Sequence, residues 1–409
     1  MNHHNPKKNV LYILNSSSGG ATQGILELLY KIDRNRYEPY LITPNQPNSI
    51  QLTKFKSVCK SYAVIRMDWW NKKYDTPTIK RVLISLSSVV KTGLNLITIY
   101  KIIKKIREWE IDIIHTSTSL TIQGAIAAKL TNKPHIWHVR ERIGSDGLFK
   151  FWIPDKILRF IFRHLSNWII PESHYAGTVF LSQNRMNMVK VIHDGVDTNE
   201  YTNLNLGKNI RKNLNINSNN LLIAMVANLS ATMKRHDIFI KVASLLAHKH
   251  PHAYFVIFGS EPQAKKNKLY NAGYIYASKL KQLVIDSNIN NQFIWGGFQP
   301  NIPELMSAID ILVHPCEVEG FGRIAIESMA AGKPVIGPTT GGIAETVKNN
   351  TTGILVQPGN IHSFAEAVEN LIINDKLRLK LGTQAKKHVS RSFSISDHTN
   401  KITEIYDSI

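Results

Sequence analysis

The sequence has few cysteines, few acidic side chains and no long apolar run. Its 409 residues include two cysteines, Cys59 and Cys316, in unrelated contexts, which excludes both a disulfide framework and a cysteine-ligated zinc site. We interpret both as packing residues. No stretch approaches the roughly 18 consecutive apolar residues of a membrane-spanning helix, and the first residues lead into a strand-like run rather than a signal-peptide core. We therefore expect a cytosolic protein.

The shortage of acidic side chains leaves a large positive charge. Lys and Arg number 50 against 30 Asp and Glu, a net charge of +20, and residues 1–200 hold 28 of the basic and 15 of the acidic ones. Such an excess is typical of proteins that meet a polyanion, whether nucleic acid, an anionic lipid surface or a phosphate-bearing substrate. Charge alone does not choose among these, and a biased genome would produce the same excess.

Short apolar runs alternate with segments of helical period, which predicts an α/β protein with parallel sheets covered by helices. Two arrays of strands are predicted. The first comprises residues 9–14, 37–43, 62–67, 111–115, 135–139 and 167–171, and the second comprises residues 221–229, 253–259, 293–297, 309–315, 333–338 and 353–358. The turn-forming residues 193–201 suit a hinge between the arrays.

We therefore predict two doubly wound, Rossmann-like domains that face a central cleft. Residues 1–197 would form the first domain, residues 198–392 the second, and residues 393–409 a final helix that packs back on the first domain. Open α/β sheets bind ligands at the carboxyl ends of their strands, so the chemistry is expected there.

The richest segment runs from His314 to Glu345. A predicted strand ends, Glu317 and Glu319 follow, and Gly320-Phe321-Gly322 turns into a helix near Arg323. Glycines let the backbone approach a ligand closely, and the first amides of the helix, up to Ile324, form an anion site with the helix dipole. We expect a phosphate at this turn.

Glu319 and Glu327 flank the same turn. Carboxylates accept hydrogen bonds from the vicinal hydroxyls of ribose and hexose, so the combination suits a sugar nucleotide. The alternative is a loop residue and a solvated helix face, but the small residues after Glu327 imply close packing, where an unpaired carboxylate would be costly. A rival reading is the dinucleotide fingerprint G-x-G-x-x-A at residues 320–325, with Glu345 as the ribose-binding acid. That fingerprint usually opens the first strand–helix–strand unit of a domain, whereas this one follows several strands.

The segment E-G-F-G-R-I-A-I-E resembles the E-x7-E signature of the retaining glycosyltransferases of the GT-B fold, in the group 1 or family 4 type. Further landmarks of that family stand in order along nearly the whole chain: the glycine-rich loop at residues 18–21, W-H-V-R at 137–140, I-H-D-G-V-D at 192–197, K-R-H-D at 234–237 and G-G-x-x-E at 341–345.

The resemblance implies a role for each matching residue. Glu327 would bind the nucleotide ribose, Glu319 a hydroxyl of the donor sugar, and Lys234 the pyrophosphate. His138 would lie at the donor sugar, although a histidine in a strand-like run is by itself more often a core residue. Gly19 and Gly20 would abut the donor phosphates and the acceptor, although a glycine pair after a strand is often only a turn.

One departure concerns Asn228, where many relatives carry an Arg as a second cation on the pyrophosphate. An amide donates hydrogen bonds but cannot neutralise charge, so Arg140, Arg235 or Arg323 would substitute, with Arg235 the favoured choice. The chain has no D-x-D motif of the type that holds a divalent metal on a sugar nucleotide. The resemblance therefore implies neither a metal nor a cofactor.

The resemblance implies a metal-independent retaining glycosyltransferase that moves a hexosyl group from a nucleoside diphosphate sugar to an acceptor hydroxyl in cell-surface polysaccharide or glycolipid synthesis. It also implies that residues 1–197 form the acceptor-side domain and residues 198–392 the domain that binds the nucleotide sugar. Nucleotide-sugar epimerisation on the same fold, a basic nucleic-acid-binding protein and a scaffold without activity are alternatives. No nucleic-acid recognition motif is present, so no nucleic-acid partner is expected.

Two basic segments also suggest peripheral docking on the inner face of an anionic membrane. They are the helical run 78–109 and the aromatic run 147–165. Basic side chains near an anionic leaflet contribute about 1 kcal/mol each, and aromatic side chains settle at the interface. The alternative is that the apolar residues face the core and the charges face water.

Overall fold

The computed structural model describes residues 6–71, 81–181, 187–203, 205–262 and 272–409, with the backbone alone for residues 81–94. The described chain divides into two compact units. One comprises Met1–Gly195 together with Ile395–Ile409, and the other comprises Val196–Ser394. The last helix of the chain therefore belongs to the amino-terminal unit.

The amino-terminal unit is built on a six-stranded sheet in the order β3-β2-β1-β4-β5-β6, and all five strand pairs are parallel. Its strands are β1 Lys8–Leu14, β2 Tyr37–Thr43, β3 Ser61–Val64, β4 Ile113–Ser117, β5 His135–Val139 and β6 Trp168–Pro171. Its helices are α1 Gly20–Lys31, α2 Ser49–Val58, α3 Arg81–Glu108, α4 Gln123–Leu130, α5 Asp155–Leu165, α6 His174–Leu181 and, from the end of the chain, α15 Ile395–Asp407.

The second unit repeats this architecture with a six-stranded parallel sheet in the order β12-β11-β10-β7-β8-β9. Its strands are β7 Leu221–Val226, β8 Ala253–Phe258, β9 Phe293–Gly297, β10 Ile311–Val313, β11 Val335–Pro338 and β12 Gly353–Val356. Its helices are α7 Lys208–Asn213, α8 His236–Leu246, α9 Ala272–Asp286, α10 Ile302–Ala308, α11 Arg323–Ala330, α12 Ile343–Thr346, α13 Ile361–Ile373 and α14 Asp375–Ser392.

Both sheets have the Rossmann strand order, with the first strand of each unit next to its fourth. The order reverses between β1 and β4 and between β7 and β10, and these switch points are where such sheets bind ligands. Each of the twelve segments predicted as strands contains or overlaps a strand, so the prediction of two doubly wound sheets is confirmed.

Helices cover both faces of the amino-terminal sheet. Side chains of α1, α2 and α15 pack with one face, and side chains of α3 and α4 pack with the other. The predicted basic helix 78–109 corresponds to α3, while residues 78–80 lie outside the described residues. None of the helices in the described ranges combines the length and the apolar character that crossing a membrane requires.

Candidate active site

The switch point of the second unit brings together two loops. Residues 227–235 follow β7, residues 314–322 follow β10, and the two strands are neighbours in the sheet. Because parallel strands end at the same edge, both loops project there and place the K-R-H-D and E-G-F-G motifs side by side.

Glu319 is the centre of this edge. Its carboxylate accepts hydrogen bonds from the ammonium group of Lys234 and, at 2.9 Å, from Nε2–H of the buried His314. Burial by itself would raise the pKa of Glu319, but the Lys234 charge and the His314 hydrogen bond outweigh it and lower that pKa well below its ordinary value. Glu319 is thus an ionised carboxylate held in place by two donors.

His314, Cys316 and Glu319 are also close enough to hold a metal ion, with one potential ligand atom from each within 4.8 Å of the others. The chemistry of Cys316 and Glu319 does not favour metal binding. Burial, together with the neighbouring Glu319 charge, raises the pKa of the Cys316 thiol to about 12, and a metal ligand must be a thiolate. The carboxylate of Glu319 is already engaged by Lys234.

Arg235 forms a second pair beside the first. Its Nη1 donates to Oε1 of Glu317 at 2.6 Å, and its Nε donates to Oδ1 of Asp237 at 3.2 Å. Arg235 has φ 59°, a left-handed backbone conformation, and directly precedes α8. With this conformation the neighbouring side chains of Lys234 and Arg235 reach Glu319 and Glu317, respectively. The favoured substitute for the missing cation therefore has two carboxylate partners of its own.

The glycine turn begins α11 as predicted. Gly322 has φ 85°, a left-handed conformation that favours glycine, and a Cβ atom there would lie 2.2 Å from Cδ1 of Ile343, whose side chain would have to shift. Phe321 is buried and Ile324 is half-buried at the first turn of the helix. Gly322 and Arg323 are buried as well, so Gly320 and Ile324 are the half-buried residues of the turn.

The second glycine pair, Gly341 and Gly342, packs against the backbone of this turn. The amide of Gly342 donates to the carbonyl of Glu319 at 2.8 Å, and a Cβ on Gly342 would lie 2.3 Å from Cα of Phe321 and 2.4 Å from the carbonyl oxygen of Gly320. The G-G-x-x-E motif is thus a packing surface for the backbone that carries Glu319.

Glu327 is 5% exposed, which excludes a solvated helix face. It forms an ion pair with Arg323, one turn earlier in α11, at 2.9 Å between Nε and Oε1. Arg323, the other suggested substitute cation in this unit, is therefore a partner of Glu327. Asn228 lies in the loop after β7, where its Oδ1 accepts hydrogen bonds from the amide and hydroxyl of Ser260 at 3.0 and 2.8 Å.

The remaining predicted residues lie in the amino-terminal unit. Gly19 and Gly20 are exposed where the loop after β1 meets α1, with Gly19 as the N-cap and Gly20 as the first residue of the helix. His138 is fully buried in β5, and its Nδ1 lies 3.1 Å from Nε2 of His115 in β4. Arg140 is buried against Asp194 at 2.7 Å and Glu172 at 3.2 Å, which assigns its charge to a structural ion pair.

Sequence reasoning missed His314, His115 and the pairing of Glu317 with Arg235. The signal for His314 was its place directly after a buried strand at the predicted switch point. His115 gave no comparable signal, because its neighbour in space is 23 residues away in the next strand.

Comparison with known proteins agrees with this architecture. Residues 207–388 match the family model described as "Glycosyl transferases group 1", and residues 18–200 match "Glycosyltransferase Family 4". An uncharacterized glycosyltransferase of Methanocaldococcus jannaschii is 29% identical over 320 residues, 77% of this chain and 80% of that protein. The UDP-Gal:alpha-D-GlcNAc-diphosphoundecaprenol alpha-1,3-galactosyltransferase of Escherichia coli is 24% identical over 397 residues, 93% of this chain and 95% of that protein.

Among solved structures, Anabaena HepE in complex with UDP-glucose aligns with a TM-score of 0.77 at 21% identity, over 98% of this chain and all of that chain. This likeness, with the two Rossmann-ordered sheets, identifies the fold as GT-B. The two family matches cover both units, and we conclude that the chain belongs to the group 1 glycosyltransferases.

Proposed function

We propose that this glycosyltransferase is a retaining, metal-independent enzyme that moves a hexosyl group from a nucleoside diphosphate sugar to an acceptor hydroxyl. The observation that carries the proposal is the arrangement around Glu319, where Lys234 and His314 hold an ionised carboxylate beside the glycine turn that opens α11. An anion site, a cation and a hydrogen-bond acceptor for hydroxyls then lie at one sheet edge.

Lys234 is the proposed group that stabilises the departing diphosphate. Its ammonium group pairs with Glu319, and the diphosphate of a donor would compete for the same charge. Once Lys234 contacts the phosphates, Glu319 can accept a hydrogen bond from a hydroxyl of the donor sugar while His314 keeps it oriented. Charge that develops on the leaving oxygen meets a preformed cation, the arrangement that lowers a transition-state barrier most effectively.

The reaction would proceed on one face of the sugar. The bond from the anomeric carbon to the phosphate oxygen breaks, the bond to the acceptor oxygen forms on the same face, and the acceptor proton passes to the leaving phosphate. Retention follows, because the new bond takes the position of the old one.

Glu327 is the proposed ribose ligand, oriented by its ion pair with Arg323. The backbone at Gly320, Phe321, Gly322 and Ile324 would bind phosphate. Arg235 is the proposed second cation and would exchange Glu317 for a phosphate oxygen, while Asn228 keeps its amide NH2 as a donor because its Oδ1 is bound to Ser260. In the amino-terminal unit, His138 is proposed to contact the donor sugar, and Gly19 and Gly20 the phosphates and acceptor.

The proposed acceptor is a lipid-linked or cell-surface saccharide, since the E. coli relative is named for a diphosphoundecaprenol-linked acceptor. The amino-terminal unit offers a surface for reaching it. In the predicted aromatic segment, Trp152 is 58% exposed and Phe160 is 58% exposed, between the exposed cations Lys150, Lys156 and Arg163. A second patch on α3 exposes Leu96, Ile97 and Tyr100 beside Lys101 and Lys104.

The structure also corrects part of the docking hypothesis. Phe162 is fully buried and stacks on Trp137 with ring centroids 3.7 Å apart, and Phe151 packs on Trp70 at 4.7 Å. Lys105 is engaged by Glu108 and by the ring of Trp109. The proposed membrane surface therefore consists of two parts, which would place the protein on the inner face of an anionic membrane. One is Trp152 and Phe160 with the exposed basic side chains around them, and the other is the exposed α3 patch with Lys101, Lys104 and Arg107.

A thermal-shift panel of UDP, GDP, ADP and TDP sugars tests the proposed function. A ligand at 100 times its Kd stabilises the bound protein by about 2.7 kcal/mol, so one sugar nucleotide should raise the melting temperature while a random oligonucleotide at the same salt does not. A shift by the oligonucleotide alone would favour nucleic-acid binding instead. No shift by any sugar nucleotide at millimolar concentration would contradict the proposal.

A further inference from the structure

Four buried side chains form a continuous hydrogen-bonded chain in the amino-terminal unit. The hydroxyl of Tyr406 donates to the hydroxyl of Tyr12 at 2.9 Å, and Nδ1 of His115 lies 2.6 Å from the Tyr406 oxygen. Nε2 of His115 lies 3.1 Å from Nδ1 of His138. We call this set the tyrosine–histidine relay.

The relay follows from the strand register. Tyr12 in β1 is directly opposite His115 in β4, and His115 is opposite Ile136 in β5. Side chains alternate between the two faces of a sheet, so His138, two residues beyond Ile136, projects from the same face as His115. The helix α15 packs on this face and supplies Tyr406.

The directions of the hydrogen bonds in the relay determine which nitrogen of each histidine carries a proton. Tyr406 has one hydroxyl hydrogen and donates it to Tyr12, so His115 must donate from Nδ1 to the Tyr406 oxygen. Nε2 of a neutral His115 is then an acceptor, and the contact at 3.1 Å requires His138 to donate from Nδ1. The remaining nitrogen of His138, Nε2, carries a lone pair.

Both imidazoles are neutral in this arrangement. Burial, and after it the charge of Arg140, lowers the pKa of His115 and of His138 well below the ordinary histidine value, and His398 on α15 adds to the effect. Burial also raises the pKa of Tyr12 and of Tyr406, so both phenols keep their protons. No member of the relay therefore changes charge near neutral pH.

Nε2 of His138 is the one end of the relay that is left open. It is buried and has no hydrogen-bond partner within the described residues. A buried polar atom without a partner is rare in folded proteins and needs an explanation, and a ligand that completes the bond is one. A neutral nitrogen with a lone pair can only accept, so the complementary ligand group is a donor such as a hydroxyl.

We propose that Tyr12, Tyr406 and His115 are positioning residues that hold His138 as its Nδ1–H tautomer, so that Nε2 accepts a hydrogen bond from a hydroxyl of the donor sugar. The identity of the hydroxyl donor rests on the proposed function. The tautomer itself is a property of the amino-terminal unit and does not depend on any ligand.

Nitrogen-15 NMR of the histidine-labelled full chain tests the tautomer directly. In the wild-type protein, the His138 signals, assigned with His138→Gln, should show a protonated Nδ1 and an unprotonated Nε2. Tyr12→Phe removes the acceptor of the Tyr406 hydroxyl, which can then donate to His115 and reverse the relay, so a protonated Nε2 of His138 should appear. Tyr37→Phe is the matched control, since Tyr37 contacts the Tyr406 ring but donates to Asp407 outside the relay. A wild-type His138 protonated at Nε2 overturns the proposal.

A kinetic measurement tests the proposed contact between His138 and the donor sugar. With the donor that gives the largest thermal shift in the panel, Tyr12→Phe should raise KM for the donor at least about tenfold, while Tyr37→Phe changes it less than twofold. A deoxy analogue that lacks the recognised hydroxyl should abolish the difference between Tyr12→Phe and the wild type. If NMR finds the Nδ1–H tautomer of His138 but no deoxy analogue abolishes the difference in KM between Tyr12→Phe and the wild type, the assignment of His138 to the donor sugar is wrong. If no sugar nucleotide binds, the proposed function fails while the tautomer result stands.

Discussion

At the scale of single residues, the donor edge of the second unit consists of neighbouring ion pairs. In each pair a cation from the loop after β7 or from α11 contacts a carboxylate, and the pairs are Lys234 with Glu319, Arg235 with Glu317, and Arg323 with Glu327. The edge is therefore preorganised, because each side chain is oriented before a ligand arrives. A diphosphate would have to exchange partners with these carboxylates rather than meet unpaired cations.

The first prediction concerns Lys234 and Glu327. Lys234→Ala removes the charge that meets the leaving diphosphate, and Glu327→Ala removes the proposed ribose ligand. We expect each to lower transfer at least about tenfold, equivalent to roughly 1.4 kcal/mol of transition-state stabilisation. Lys241→Ala, at an exposed position of α8, the helix that follows Lys234, and Glu366→Ala on α13 are matched controls that should keep wild-type rates. Wild-type rates in folded Lys234→Ala would remove Lys234 from the mechanism.

The second prediction is that activity survives EDTA. Lys234 and the amino-terminal end of α11 are proposed to do the charge neutralisation that a divalent metal performs in enzymes with a D-x-D motif. The initial rate should be the same before and after chelation, within about twofold. Complete loss with recovery on addition of magnesium or manganese would show that these groups have been given the wrong role.

Spacing and residue type singled out Glu319, Glu327 and the glycine turn, and the family resemblance added Lys234, because each of these belongs to a local motif; their roles in binding stay predictions. The residues that orient them were not predictable in the same way. His314 contacts Glu319 only because the loop between them folds back, and His115 meets His138 only through the register of β4 and β5. Such contacts depend on backbone geometry that no short pattern encodes.

At the scale of elements, the strands were predictable because buried parallel strands are short, continuous apolar runs. The residues at which the strands end were harder to predict. The apolar run that contains β7 continues to Leu229, but the strand ends at Val226. The run is longer than the strand because Ala227 and Leu229 are also buried, in the loop that leads to Lys234. Burial therefore extended the hydrophobic pattern into a segment that belongs to the site.

The third prediction concerns helix α3 and the aromatic segment that leads into α5. Lys101, Lys104 and Arg107 are exposed on α3, so changing all three to Gln should weaken binding to vesicles that contain anionic lipid, by about 1 kcal/mol for each lost charge. Co-sedimentation at low and high salt measures the effect, and binding should fall as salt screens the charges. Trp152→Ala should weaken binding at both salt concentrations, because it removes an apolar contact.

The control for this experiment lies in the other unit. Lys376, Lys380 and Lys387 are exposed on α14, and their change to Gln lowers the net charge of the protein by the same amount. Vesicle binding should then stay close to that of the wild type. Equal loss in the two triple variants would mean that overall charge, not a surface of the amino-terminal unit, attracts the membrane.

At the scale of the whole molecule, buried neutral histidines make stability depend on pH. Burial is the main cause that lowers the pKa of His135 to about 3 and that of His236 to about 4, and it lowers the pKa of His115 and His138 as well. The unfolded chain binds protons on these groups below about pH 6.5, whereas the folded chain does not. The free energy of unfolding therefore falls as pH decreases from about 6.5, at roughly 1.4 kcal/mol per pH unit for each such histidine.

The fourth prediction follows from His135, which lies outside the site and the relay. His135→Gln removes one proton-binding group of the unfolded state, so the loss of thermal stability between pH 6.5 and pH 4.5 should be smaller than in the wild type. Melting temperatures over this range measure it, with His362→Gln at an exposed position as the control. An unchanged pH dependence in His135→Gln would show that His135 does not resist protonation in the folded protein.

The two units share one strand order, yet the proposed chemistry assigns them different tasks. Paired charges and a glycine turn occupy the switch point of the second unit, while the first unit carries the tyrosine–histidine relay and the exposed aromatic surface. Topology explains why each site lies where it does, and the loops explain why the sites differ.

The fifth prediction tests the central claim, that the protein transfers a hexosyl group with retention. Proton NMR can follow the anomeric signals of the selected sugar nucleotide and of the product during turnover by the full-length enzyme. An α-linked donor should give an α-linked product with one nucleoside diphosphate released for each bond formed. A β-linked product, or no nucleoside diphosphate released from any sugar nucleotide in the presence of lipid-linked and soluble acceptors, would contradict the account.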